Sequence, residues 1–120
     1  MPVVLTDPYM TKTFFVPLTL DKSEGFWAKP VTESDMTEYR RQCGKEAGGD
    51  EDLMNSLILK RILLDKVVDW QGYRDAGGQD MPCTPEVKAA ICVSDPVHVA
   101  EMVLRIRNIA RMGMVDDAKN

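Results

Sequence analysis

Cys83, Thr84 and Pro85 put a thiol just ahead of a helix start, and His98 is the single imidazole of the chain. A cysteine in that position can lose its proton readily, because the free N–H groups of a helix N-terminus favour negative charge. With His98 as base it would make a nucleophile, and Cys92 is the other thiol that could meet the ring in space. Such a pair also needs an orienting third group and an oxyanion site. No general base lies near Cys83 in sequence, so a semi-buried loop cysteine and a surface or capping histidine are the favoured readings.

Asp69, Asp75 and Asp80 suggest a calcium loop, but their spacing lacks the register and the closing bidentate Glu of an EF-hand. Gly77-Gly78 follows no predicted strand and has no GKS or GKT after it, which argues against a phosphate cradle. Glu33 with Asp35, and the Asp50-Glu51-Asp52 run, could serve as paired carboxylates for acid–base work. Both sit where predicted helices begin, and helix N-termini explain them electrostatically. No residue is assigned a catalytic, cofactor-binding or metal-binding role, and the expectation is a protein that is not an enzyme.

The totals narrow the classes further. Cys43, Cys83 and Cys92 are odd in number and widely spaced, with no CxxC, which disfavours a disulfide scaffold or a zinc site and suits a reducing cytoplasm. A net charge of -4, with no basic block, is a poor match to nucleic acid. Only Arg105, Arg107 and Arg111 gather positive charge, on the last predicted helix. No apolar run is long enough to cross a membrane, and the N-terminus lacks the pattern of a secretory signal. With 120 residues, 44% of them hydrophobic, one domain over 1–120 is expected, flexible at 1–12 and 115–120.

The elements that would position these residues read as an α+β domain, mostly helical, with about four helices and a short N-terminal β-hairpin. Phe14, Val16 and Leu18 alternate with Phe15 in a possible edge strand restricted by Pro17, and residues 25–31 form a second extended piece. Thr32 caps a helix running to about Cys43, with Asp35 where a carboxylate can reach back to the cap. The run LMNSLILKRILLDKVVDW is the strongest periodic signal, a central helix ending at Trp70. Its expected stripe is Leu53, Leu57, Leu64 and Val68, with Met54, Ile58 and Ile62 alongside. Thr84-Pro85 and Ser94-Asp95-Pro96 start two more helices, the last reaching about Arg111.

Between the central helix and the next, Trp70 is placed to cover the apolar seam, and Gly72 and Gly77-Gly78 let the chain turn. This segment reads as an anchored connector rather than a ligand loop.

The order of these pieces resembles a known family. Phe26-Trp27, a helix start at Val31-Thr32, an apolar helix closing on Val67-Val68-Asp69-Trp70-Gln71-Gly72, an acidic glycine loop, Met81-Pro82-Cys83-Thr84-Pro85-Glu86 and a helix after Ser94-Asp95-Pro96 follow one another between Gly25 and Arg111. The arrangement looks like small tail-assembly or tail-associated proteins of tailed bacteriophages and prophages, the tail assembly chaperones above all. In that resemblance Trp70 and Gly72 match the tryptophan-glycine helix end, and Gly78 the loop glycine. Met81-Pro82 with Thr84 and Glu86 match the start of the next helix. Family members often carry Phe or another hydrophobe followed by Ser or Thr where this chain has Cys83-Thr84.

The resemblance implies a cytoplasmic, non-enzymatic protein, without cofactor, that binds the tape-measure or tube protein of the tail and can self-associate. A structural minor tail protein or head–tail connector is the alternative, and a nucleic-acid-binding regulator resting on Arg105, Arg107 and Arg111 a weaker one. In physical terms, Met102, Met112 and Met114 near the carboxyl end could receive varied apolar segments, or could simply complete the core. The edge of the strand carrying Phe15 is a second candidate interface.

Overall fold

Aromatic and β-branched residues at Phe14–Pro17 form β1, and Gly25–Ala28 forms β2 in the computed structural model, which describes residues 13–108. The two pair antiparallel, with Phe14 opposite Ala28 and Val16 opposite Phe26, as the predicted hairpin requires. The tip is tied by Asp21, whose Oδ1 accepts from the Thr19 hydroxyl and from the backbone and hydroxyl of Ser23. The Ser23 backbone N–H, together with the Ser23 and Thr19 hydroxyls, holds the Asp21 carboxyl below its ordinary value.

Helix α1 spans Glu33–Ala47 and opens with a full capping box: the Thr32 hydroxyl accepts from the Asp35 N–H, and the Asp35 carboxylate from the Thr32 N–H. It runs through Gly44 and stops at Gly48, whose φ of 59° is the left-handed cap. Helix α2 spans Glu51–Lys66, with Asp50 accepting the Leu53 N–H. The acidic runs lie at both helix starts, as expected, with Asp35 and Asp50 making the capping bonds and Glu33, Glu51 and Asp52 in the first turns. Tyr39 on α1 donates to Asp65 on α2 at 3.0 Å, and Lys66 pairs with Asp35 at 2.8 Å, which fixes the two helices side by side.

The central helix ends four residues short of Trp70, and the chain goes straight into a third strand, β3, Val67–Gln71. Two features explain the early stop. Val67 and Val68 are β-branched and favour extended backbone. The carbonyls left at the helix end also find partners elsewhere: Lys88 donates to the oxygens of Leu64 and Val67, the latter at 2.6 Å, and the Lys29 N–H to that of Lys66.

β3 pairs antiparallel with β2, giving a three-stranded sheet in the order β1-β2-β3. Phe26 faces Trp70, but Ala28 faces Val67, so the register shifts between Trp27 and Ala28 and Val68 has no opposite number. That bulge lets Val67 and Trp70, three residues apart, both point inward. Val68 is left outward, 45% exposed, which corrects its place in the expected helical stripe. Leu53 is exposed as well, and the deepest residues of α2 are Ile58, Ile62 and Leu63. α2 touches α1 on one side and both later helices on others, so its buried surface is wider than a single stripe.

Helices α3, Pro85–Ser94, and α4, Pro96–Asn108, complete the described chain. Each begins as the sequence indicates: Thr84 accepts the Val87 N–H, and Asp95 the His98 N–H. The predicted end of α4 near Arg111, and the termini expected to be flexible, lie outside the described residues. Sheet and helices share one core, in which Phe14, Phe26, Ile62, Leu63, Met102 and Ile106 are fully buried. The described residues thus form a single α+β domain of four helices and a short antiparallel sheet.

Candidate functional site

Trp70 is the centre of the connector, on β3 rather than at a helix end. Its indole is buried, 7% exposed, and Nε1 donates to the Met81 carbonyl at 2.7 Å, tying the strand to the far end of the loop. Gly72 then takes a φ of 79° with Ser23 and Glu24 against it. A Cβ there would lie 2.5 Å from Glu24 Cγ and 2.8 Å from the Ser23 oxygen, so both backbone conformation and space require glycine. The turn brings Tyr73 back over Trp70, with ring centroids 4.5 Å apart and planes 3° from parallel.

Tyr73 in turn reaches His98. Its hydroxyl lies 2.9 Å from Nε2 in a hydrogen bond, so a column of three rings runs from β3 to the first turn of α4. Burial above all, with help from the negative charge of Glu24, pushes the Tyr73 phenol well above its ordinary value. The phenol stays protonated near neutral pH.

The loop beyond Tyr73 closes on itself. Arg74 bridges to Asp80, the Met81 N–H donates to the Tyr73 oxygen, and Asp75 Oδ1 accepts from the Gly77 and Gln79 N–H groups. Gly78 has a φ of 81° with open space around it, so its role is conformational. The three aspartates that suggested a metal loop are thus engaged separately: Asp75 by backbone N–H groups, Asp80 by Arg74 and Asp69 by the Trp70 N–H. Among the described residues no group of three His, Cys, Asp or Glu side chains is placed to hold a metal. Pro82 is exposed at the loop's exit and Thr84 caps α3, so both belong to the fastening.

The thiols and the imidazole do not join. His98 uses its ring on Tyr73, and no hydrogen bond links it to a cysteine among the described residues. Burial raises the thiols of Cys83 and Cys92, and that of Cys43 deeper in the core, which keeps them in the unreactive protonated form.

Beside Tyr73 and His98 lies an open groove of about 340 Å³, lined also by Leu18, Glu24, Met81 and Ile91 among others. A second groove of about 440 Å³ continues it past Val97, Glu101 and Arg105, sharing Leu18, Glu24, Asp95 and His98. Val97, 79% exposed, lines the second groove. Leu20 at the hairpin tip, Val93 at the end of α3 and Leu104 on the outer face of α4 are large apolar side chains exposed elsewhere on the surface.

Other expected interface residues fall differently. Met102 is 0% exposed and belongs to the core, because it follows Val99 by one helical step on the inward face of α4. Of the two roles the sequence leaves open for it, Met102 takes the core one, while Met112 and Met114 lie outside the described residues. Phe15 is half-buried on the outer face of the sheet, its ring against Trp27 at 4.7 Å and folded over Gly25. Arg105 is tied to Glu101 and to the Pro17 carbonyl. Arg111, which completes the basic group on the last helix, lies outside the described residues.

Tyr73, Glu24 and Lys88 escaped the sequence reading. The one available signal for Tyr73 was an aromatic just past a tryptophan-glycine pair. Lys88 carried none, since a lysine inside a helix ordinarily faces water.

No family model matches this chain, and neither a curated protein nor a solved structure does. No helix among the described residues is long and apolar enough to cross a membrane.

Proposed function

We propose that this chain is a non-enzymatic, protein-binding factor of bacteriophage tail assembly, a chaperone acting in the host cytoplasm. It would shield an apolar segment of the tape-measure or tube protein until the tube forms. The order of motifs around Trp70-Gly72 and Met81–Glu86 is the ground for the tail-assembly class. One observation supports contact as the mode of action: Leu18, Tyr73, Met81 and Val97 line a double groove with a fixed wall. Apolar side chains lining a concave site are what a binding surface for another chain requires. The ring column and the capped helices hold that wall in place without a partner, which lowers the entropy lost on binding.

Co-expression with the tape-measure or tube protein encoded beside it tests the reading. The partner's soluble fraction should rise and the two should elute together, and the chain should be missing from finished particles. Failure to bind any neighbouring tail protein removes the assignment, and stable incorporation into mature particles makes it a structural tail part instead.

A further inference from the structure

We infer that the double groove receives a basic amphipathic segment, one whose apolar side chains are flanked by lysine or arginine. The inference rests on the reading of this face as a protein-binding one, and it names the chemistry of what binds there. The floor is apolar: Leu18 from the end of β1, Tyr73 and Met81 from the two ends of the connector, and Ile91 from α3. Methionine and an aromatic ring accept apolar side chains of varied shape, and the ring face also attracts a cation.

The walls set the sign of charge. Three carboxylates line the two grooves, those of Glu24, Asp95 and Glu101, against the cations Arg74 and Arg105. Both cations are already neutralised, Arg74 by Asp80 at 3.2 Å and Arg105 by Glu101 at 2.9 Å. Glu24 and Asp95 have no cationic partner among the described residues, and they line both grooves. One is on the β1–β2 hairpin and the other at the α3–α4 junction, so a cation lying in the groove meets a carboxylate from each element. The helix termini do not reverse this. The carboxyl end of α3 and the amino end of α4 meet at Asp95, and their opposite partial charges offset. Carboxylates beside a low-dielectric floor therefore give the cleft a negative field that selects a cationic apolar segment over an anionic one.

Two probes test it on the whole chain: a short amphipathic leucine–lysine peptide, and its counterpart with every lysine replaced by glutamate. The leucine–lysine peptide should bind, move the NMR signals of Tyr73 and His98, and weaken as salt is raised. The glutamate peptide should bind at least about fivefold more weakly. The double variant Glu24→Gln, Asp95→Asn should lose about fivefold in affinity for the lysine peptide while melting as the parent does, because asparagine caps a helix as well as aspartate. Equal binding of the two peptides, unchanged affinity in the double variant, NMR shifts elsewhere on the molecule, or no binding of the lysine peptide overturns the inference. Co-purification keeps it apart from the tail-assembly reading. Lysine-peptide binding without capture of any tail protein removes that reading and leaves the groove's chemistry standing. Capture of a tail protein equally well by parent and double variant removes the groove.

Discussion

Trp70 serves as both packing and fastening, and the two contributions can be measured separately. Replacing it with alanine empties a large site in the core and releases Tyr73 from its stack, which should cost about 3–5 kcal/mol. Trp70→Phe keeps most of the ring but loses the Nε1–Met81 bond, and should cost less, with about 1 kcal/mol of it from the missing hydrogen bond. Urea denaturation of both variants checks the ordering, and an alanine variant as stable as the parent would place the indole outside the core. That Trp70 anchors the connector was readable from its position between an apolar run and a glycine. Its stacking partner was not. Tyr73 lies over it only because Gly72 turns the chain at a positive φ, and that angle is set by the hairpin packed against it. Lys88 was hidden for a related reason, since its buried position depends on helix-end carbonyls more than twenty residues earlier in the chain.

Helix starts were the most legible elements, because a cap acts through residues three apart. Thr32 with Asp35, Asp50 and Thr84 all cap as their sequence positions indicate. The end of α2 was not legible, since the residues that stop it, Lys29 and Lys88, come from other elements. Asp35 offers a test of how much one cap holds. Burial raises its carboxyl, but the Lys66 ammonium and the Thr32 backbone and hydroxyl outweigh it, and the folded value lies below the ordinary one. A depressed folded value means stability that is present above the unfolded value, about pH 4, and lost as pH falls through the folded one. Asp35→Asn should therefore cost about 1 kcal/mol near neutral pH, from the pair with Lys66 that both binds α2 and supports the cap. Unfolding curves at neutral and acid pH should show the gap to the parent closing in acid. A gap that stays constant would mean that the carboxylate's charge contributes nothing there.

For the molecule as a whole, the division of α4 into an inner and an outer face separates folding from the proposed binding. Val99, Met102, Val103 and Ile106 turn inward, while Val97, Glu101 and Leu104 lie on the opposite side at helical spacing. The three- and four-residue spacing of the first set is visible in the sequence itself. It could not show that Val97 and Glu101 would line a groove, because that depends on the hairpin meeting the α3–α4 junction, and it left Met102 open between core and contact until its burial decided for the core. The two faces predict opposite phenotypes. Met102→Ala should destabilise the domain by about 2–5 kcal/mol through the cavity it leaves. The double change Val97→Ser, Leu104→Ser should alter stability by no more than about 0.5 kcal/mol per site, since both side chains already stand in water. The same double variant should capture the tail partner several-fold less well in co-purification, whereas Met102→Ala, examined at a temperature where it stays folded, should capture it as the parent does. If the serine variant binds undiminished, the exposed side chains of α4 are not the contact, and the partner must engage another face such as the sheet surface carrying Phe15 and Trp27.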